Sequence, residues 1–468
     1  FPRPSPPANI RPVTDLALAT PAEPEPSTRG RRLGLAAICF GFLAITIDTT
    51  AVNVALGPIV ADLGGSLAGA QWIVSGYTLV FATFLLSGGA WADRIGSRNA
   101  FLIGLALFGL ASAACAAAPS MEALIAARAA QGLGAALLMP CSLALIVHTF
   151  PAGPERRGAL AAWGGISGLG LSVGPVLGGA LIDGAGWRFI FLVNLPVAVL
   201  SALGVVAYVT ETARHRHPFD LPGQVLVVAA LGCLSGGFIL AGEIGWDAAG
   251  TIGLLVAGVA ATLALVRVEC LMPLPMIPPE LFRNLRFRSL VGVAGIYNFG
   301  FYGYLFCLSL VLHEQLGLSP FDTGLAILPL SSVIGVIAFS SGRIIARLGE
   351  WRAVLTGLGF GALGAAVMAV FGGDSVTGTI LCTLPFAGNA ATMQAMTALT
   401  MEGAPRERIG LASGAQNAAR QAGGALGVAL LGTLLAAGTG LSLRLPMVVV
   451  GVGYLVAIGL ALAGRRHS

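Results

Sequence analysis

Runs of about 20 apolar residues recur along almost the whole chain, and no other feature constrains its fold as tightly. A helix of that length crosses the ~30 Å hydrocarbon core of a bilayer. In lipid the backbone must bond to itself, so a spanning segment is a helix or part of a closed barrel, and long uninterrupted runs read as helices. Only 10% of the 468 residues are charged and 56% are hydrophobic, whereas soluble domains carry about 25% charged residues. An all-α polytopic membrane protein is expected. The 66 glycines agree with this, because small residues let transmembrane helices approach closely.

Apolar spans fall near residues 33–57, 71–91, 99–118, 122–149, 159–183, 188–209, 223–242, 251–268, 289–312, 322–345, 352–371, 376–400, 410–437 and 445–463. That makes fourteen crossings; the seventh and eighth are the weakest, and twelve is the competing count. A repeat favours fourteen. The stretch GAWADRIGSRNAFL (89–102) returns as GRIIARLGEWRAVL (342–355): Gly89, Arg94, Gly96, Ala100 and Leu102 each find the same residue 253 positions later, while Asp93 meets Ala346. In the first half, Gly89 and the end of the charged turn GPERRG at Gly158 lie two helices and 69 residues apart. An offset of 253 then fits eight crossings better than six, and matching turns on one membrane side need an even number. Glu155, Arg156 and Gly158 also recur 252 positions on as Glu407, Arg408 and Gly410. The expected layout is two pseudo-symmetric six-helix bundles with two helices inserted between them. A Pro-rich, disordered cytoplasmic tail occupies 1–31, the first bundle 32–210, the extra helices and linkers 211–286, and the second bundle 287–468.

All 26 basic residues are Arg. With the amino terminus placed inside, 22 of them face the cytoplasm and only Arg188 and Arg444 lie outside, while Arg128 and Arg420 fall within spans. Positive charge collects on the inner side of membrane proteins, so both termini are expected to be cytoplasmic. The formal charge of +5 therefore reflects topology, and no nucleic-acid partner is expected. Seven cysteines show no paired spacing, which points to neither a disulfide framework nor a metal site. With no Lys there is no ATP-binding loop of the GxxxxGK[ST] form, so energy must come from an ion gradient or the substrate's own. No cofactor is expected, and the absence of a Ser/His pair or acidic cluster within the spans argues against an enzyme.

Asp48 is the only acid away from a span end. An intramembrane carboxylate is a functional candidate by default. Burial and a neighbouring cation act oppositely on a carboxyl group's hold on its proton, so a movement that changes either can load and release one. Counting about 1.5 Å per residue, Arg128 lies ~10 Å into its span and Asp48 ~14 Å. The depths permit a charge relationship between helices 1 and 4, direct or through Gln131 and water. The structural alternatives are a polar Asp48 near the outer interface and an Arg128 that braces free carbonyls. Arg420, ten residues into the thirteenth span, is expected to face a cavity, where it binds anionic parts of a substrate or braces the core. Tyr77, Phe81 and Phe84 share one helical face, and Phe299, Tyr302 and Phe306 another. They either stack on a flat organic ligand or pack the core. Gly170, Gly174 and Gly178 recur every four residues beside Gly179, and Pro175 permits a kink. In the charged loop, Gly89 allows close helix contact, Gly96 a left-handed turn, and Asp93 can pair with Arg94, Arg98 or a helix terminus.

These stretches, in this order, resemble the signatures of the major facilitator superfamily, specifically its fourteen-helix drug:proton antiporters. TIDTTAVNVALGPIVADL (46–63) resembles the first-helix signature, GAWADRIGSRNAFL the loop between helices 2 and 3, LIAARAAQGLGAALLMP (124–140) the fourth-helix Arg motif and GISGLGLSVGPVLGG (165–179) the fifth-helix antiporter motif. WRFIFLVNLP (187–196) and PPELFRNLRF (278–287) are similar to the same subgroup. Departures are Gly57 before Pro58, Trp91 where Leu is common, and Ser97 in place of a basic residue. The resemblance implies proton-coupled export of amphiphilic organic compounds by alternating access, in a bacterial plasma membrane. It implies a cytoplasmic latch of helix 2 against helix 11 built on the 89–98 loop, and a seal against leak built on the glycine motif. The expected partners are a small organic substrate and the lipid bilayer, and the expected state is a monomer. A uniporter or symporter of a small metabolite, or a nontransporting receptor or scaffold, are the alternatives.

Overall fold

The computed structural model describes residues 28–212, 214, 220–272, 275, 279–403, 409–437 and 441–466, and no strand occurs among them. The first bundle comprises α1 (Thr28–Leu63), α2 (Leu67–Ile95), α3 (Ser97–Ala116), α4 (Met121–Thr149), α5 (Pro154–Ala185) and a sixth crossing formed by α6 (Phe189–Leu192) and α7 (Asn194–Tyr208). Helices α8 (Leu221–Ile244) and α9 (Ala249–Leu271) follow, and the short α10 (Pro279–Arg283) leads into the second bundle. That bundle holds α11 (Leu285–Leu310), continued by a π-helical turn at Val311–Gln315, then α12 (Pro320–Leu348), α13 (Glu350–Phe371), α14 (Val376–Ala387), α15 (Ala390–Glu402), α16 (Ile409–Leu435) and α17 (Arg444–Arg465).

Among the described residues, thirteen helical segments are long and apolar enough to cross a membrane. The remaining predicted span, 376–400, is the broken pair α14 and α15. Pro385 removes a backbone donor in the last turn of α14, and at Gly388–Asn389 the backbone keeps right-handed helical angles while its bonds tighten to the i to i+3 pattern. Helix α1 starts within the predicted tail, at Thr28, and runs past Pro58 to Leu63 because Leu56 and Ile59 continue its fully buried face. Residues 1–27, Glu407 and Arg408 lie outside the described residues.

Glycine sets the closest helix contacts. An added Cβ at Gly132 would sit 2.4 Å from the Tyr77 carbonyl oxygen, and one at Gly88 2.5 Å from that of Ala136, clamping α2 to α4. Gly88, rather than the predicted Gly89, therefore provides the close approach, since a Cβ added at Gly89 would meet nothing nearer than Pro140 at 3.9 Å. Helix α5 packs on α1 through Gly170 against Thr46 and Gly174 against Thr50. Their counterparts 253 residues on, Gly423 and Gly427, pack α16 on α11 against the Gly295 and Phe299 carbonyls. The duplication thus extends from the loops into helix packing. Gly96 and Gly349, equivalent in the repeat, both take positive φ (+93° and +77°) at the two matching turns. Between the bundles, α8 touches α2 through Gln224 Nε2 to the Thr83 carbonyl (3.0 Å) and α16 through Thr433 Oγ1 to the Phe238 carbonyl (2.8 Å). Helix α9 packs on α8 and is otherwise largely exposed.

An alanine at Gly427 would place its Cβ 2.2 Å from the Phe299 carbonyl oxygen, so Gly427→Ala should lower stability by about 1–3 kcal/mol. Thermal unfolding in detergent checks this against Gly164→Ala, whose Cβ meets nothing within 4 Å and which should leave the midpoint unchanged.

Candidate functional site

The polar stretch of α1, TIDTTAVN, can cross the bundle because its side chains are satisfied locally. Thr49 Oγ1 donates to the Ile45 carbonyl (2.7 Å), Thr50 Oγ1 to that of Thr46 (3.2 Å) and Asn53 Nδ2 to that of Thr49 (3.0 Å). Thr46 and Thr50 lie four residues apart and share the face packed on α5. Asp48, two residues from each, points the other way, into the interior of the first bundle. There Arg128 Nη1 donates to Asp48 Oδ2 at 2.6 Å, with both side chains 1% exposed. Gln131 Nε2 and Asn194 Nδ2 donate to Asp48 Oδ1 at 2.9 and 3.1 Å, and both also bond Ser112 Oγ. The pairing of Asp48 with Arg128 is direct. The Arg128 guanidinium lies 4.3 Å from the centre of the Tyr77 ring, and its Nε donates to the Ile73 carbonyl (3.3 Å). Four crossings supply the network: α1, α3, α4 and the sixth through α7. Asn194 and Ser112 were not singled out from the sequence; a lone amide or hydroxyl within an apolar run was the available signal.

A second set of contacts joins the two bundles on the face opposite the amino terminus. Gln71 Nε2 donates to the Ala429 carbonyl (2.7 Å), Ser75 Oγ to that of Ala425 (3.2 Å) and Ser309 Oγ to that of Asn53 (2.7 Å). The glycine motif divides here. Gly170, Gly174 and Gly178 pack within the bundle onto α1, whereas Gly179 lies against the Pro320 backbone and the Pro175 carbonyl against Gly324 of α12. Ser172 Oγ donates to the Ser331 carbonyl at 2.8 Å. Nearer the amino-terminal face, Gly158, Gly164, Gly165 and Gly168 of α5 and Gly342 of α12 have no neighbour close enough to meet an added Cβ. Along α5 and α12 the bundles are therefore in contact on one face and part toward the other, whereas α2 and α16 stay in contact further along, with Leu86 against Gly414.

The remaining predicted residues separate into packing and lining groups. Tyr77, Phe81 and Phe306 are buried: Tyr77 lies on the ion pair with Phe81 edge-on to it, and Phe306 abuts Gly432 beside Gln71. They fill the bundle interior and the seal, not a cavity wall. Phe299, Tyr302 and Arg420 stay partly exposed. In the charged loop, the Gly96–Asn99 segment is tied to the end of the sixth crossing. Glu211 accepts the backbone N–H groups of Arg98 and Asn99 at 2.9 and 3.0 Å, Thr212 Oγ1 accepts that of Ser97 at 2.7 Å, and Arg98 Nη2 donates to the Val206 carbonyl at 2.8 Å. Glu211 was missed because its role depends on a helix start more than 100 residues away in the chain. Asp93 and Arg94 lie in the last turn of α2. Among the described residues no three His, Cys, Asp or Glu side chains converge as a metal site would require.

Removing one partner of a buried ion pair costs about 3–5 kcal/mol, so Arg128→Ala should destabilise the protein by that order, and adding Asp48→Asn should restore part of the loss in denaturation measurements. Glu211→Ala should cost about 0.5–2 kcal/mol, as loss of a helix cap does, and should speed hydrogen exchange specifically at Ser97–Asn99.

Comparison with known proteins agrees with this architecture. The Major Facilitator Superfamily model matches residues 38–428. The multidrug resistance protein Stp of Mycobacterium tuberculosis is 36% identical over 412 residues, which cover 87% of this chain and 76% of that protein. The tetracenomycin C resistance and export protein of Streptomyces glaucescens is 34% identical over 410 residues, again 87% and 76% of the two chains. The crystal structure of a POT family transporter in complex with a thioalcohol-conjugated peptide has the same fold, with a TM-score of 0.67 at 16% identity over 92% of this chain and 94% of that one. This chain is a multi-span cell-membrane transporter and belongs to the Major Facilitator Superfamily.

Proposed function

We propose that this protein exports amphiphilic organic compounds, of the kind represented by drugs and antibiotics, in exchange for protons drawn down their gradient. The relatives named for multidrug resistance and for tetracenomycin C export support the direction of transport and the class of cargo. The observation that carries the coupling is the Asp48–Arg128 pair, buried to 1% and set inside one bundle, apart from the space between the bundles. A proton arriving on Asp48 removes the charge that holds Arg128 and weakens two further charge-assisted bonds, from Gln131 and Asn194. Arg128 then rebalances between Asp48, the Ile73 carbonyl and the Tyr77 ring. Ile73 lies between Gln71 and Ser75, the two α2 residues bonded to α16 across the seal. Protonation is thereby communicated to the contact that has to open for the bundles to rock.

With both termini on the cytoplasmic side, as the distribution of Arg favours, the parted face is the cytoplasmic one. The arrangement is then the state that receives cargo from inside the cell.

Proteoliposomes with an imposed proton gradient test the coupling. Asp48→Asn should reduce gradient-driven movement of fluorescent organic dyes to the level of empty liposomes, while dye-for-dye exchange without a gradient persists. Full-speed gradient-driven pumping by Asp48→Asn would take the coupling away from Asp48, and dye movement by the wild-type protein that ignores the gradient would favour a uniporter.

A further inference from the structure

Two arginines lie deep in the helices, and they are held very differently. Arg128 has its acid. Arg420 sits eleven residues into α16, about 16 Å along the helix at 1.5 Å per residue, and among the described residues no carboxylate lies within ion-pair distance of it. Its partners are neutral and loose: Asn417 Oδ1 at 3.1 Å from Nη1, Met393 Sδ at 3.4 Å from Nη2 and Asn298 Oδ1 at 3.5 Å from Nε. Asn298 is itself buried, and its Nδ2 is directed at Gln421 Oε1 (3.5 Å), which leaves its carbonyl oxygen facing the guanidinium. This second layer orients the cation without neutralising it.

The surroundings also point to a ligand. Arg420, Asn417 and Met393 remain partly exposed, as do Phe299 and Tyr302 on the neighbouring α11. Tyr302 packs against Gly424 of α16 and meets Phe301 edge-on, with ring centres 5.4 Å apart. A guanidinium, an amide and an aromatic wall therefore border one space between α11, α15 and α16. An Arg in a membrane interior is expensive unless it finds a partner, and its planar fork of donors matches a carboxylate bidentately. Asp48 does not supply that partner, because it is consumed by Arg128. The interior thus carries an uncompensated positive charge.

Resting on the exchange reading above, we propose that the cargo is an organic anion: a compound with a carboxylate, enolate or phenolate that pairs with Arg420 and an aromatic or apolar body that lies on Tyr302 and Phe299. An anion leaving the cell against an entering proton moves charge in one electrical sense. The membrane potential then drives the cycle together with the proton gradient, whereas exchange of a monocation for a proton is electrically silent.

Two xanthene dyes of similar size decide the matter, anionic fluorescein and cationic rhodamine 123. Transport is measured in proteoliposomes of phosphatidylcholine, so that no anionic lipid competes for Arg420, with an imposed proton gradient. Wild-type protein should transport fluorescein with a KM at least about tenfold below that for rhodamine 123, the scale of one lost charged hydrogen bond. A valinomycin-imposed potential, negative on the dye-donor side, should accelerate it. Arg420→Gln should raise the fluorescein KM about tenfold and lower that for rhodamine 123, with Arg420→Lys between the two. This opposite movement of the two dyes could not come from poor folding. An unchanged fluorescein KM in Arg420→Gln, or a wild-type preference for rhodamine 123 with gradient-driven transport intact, overturns the anion assignment alone. If neither dye responds to the proton gradient, the exchange reading falls with it.

Discussion

Two opposite charges removed from water can persist only where each is the other's solvent, and the Asp48–Arg128 contact imposes that condition on the whole first bundle. The carboxylate needs more than one donor to replace its hydration. Gln131 and Asn194 answer that need, and Ser112 orients both. The four crossings that supply these groups cannot drift apart without stranding a charge in a medium that punishes it. The second bundle repeats the scaffold without the pair, with Phe301 and Leu381 standing 253 positions after Asp48 and Arg128, and carries Arg420 on α16 instead. A duplicated chain has become chemically asymmetric through the placement of a few polar residues.

Much of this is legible in the amino-acid sequence, for physical reasons. Lipid enforces helices, so apolar runs give the crossings. A glycine forced to positive φ leaves a recognisable turn, and Gly96 and Gly349 mark the duplication in sequence and in backbone conformation alike. Depth counting at a fixed rise per residue brings Asp48 and Arg128 to one level. What stays hidden depends on rotation about helix axes and on distant partners. Residue spacing shows that Phe299, Tyr302 and Phe306 share a stripe, but not that its upper end meets Gly432 and closes over while its lower end stays open. Glu211 reads as an ordinary loop acid, because nothing near it in the chain tells that α3 begins beneath it. The break at Gly388–Asn389 lies inside a run apolar enough to read as one helix.

The glycine motif of α5 shows how one pattern can hold two duties. Three of its glycines face α1 and set an intimate contact inside the bundle, and α16 reproduces two of those positions against α11. Gly179 and Pro175 instead address α12 in the other bundle. Both duties recur in the second half, since Gly432, 253 residues after Gly179, meets Gln71 of the other bundle, and only Pro175, matched by Val428, is peculiar to α5. A substitution on either face of this helix would therefore fail for a different reason, one through loosened packing and the other through a defective closure.

The position of Ile73 on α2 carries a last consequence. Its carbonyl is held by Arg128, and the residues two steps to either side of it grip α16. Helix α2 therefore works as a lever with a charge at its fulcrum. Under the proposed exchange, cargo and proton can compete by pulling on that lever from separate places and need never occupy a common pocket. Evolution could then recut the cargo chamber for new chemistries while leaving the power supply untouched.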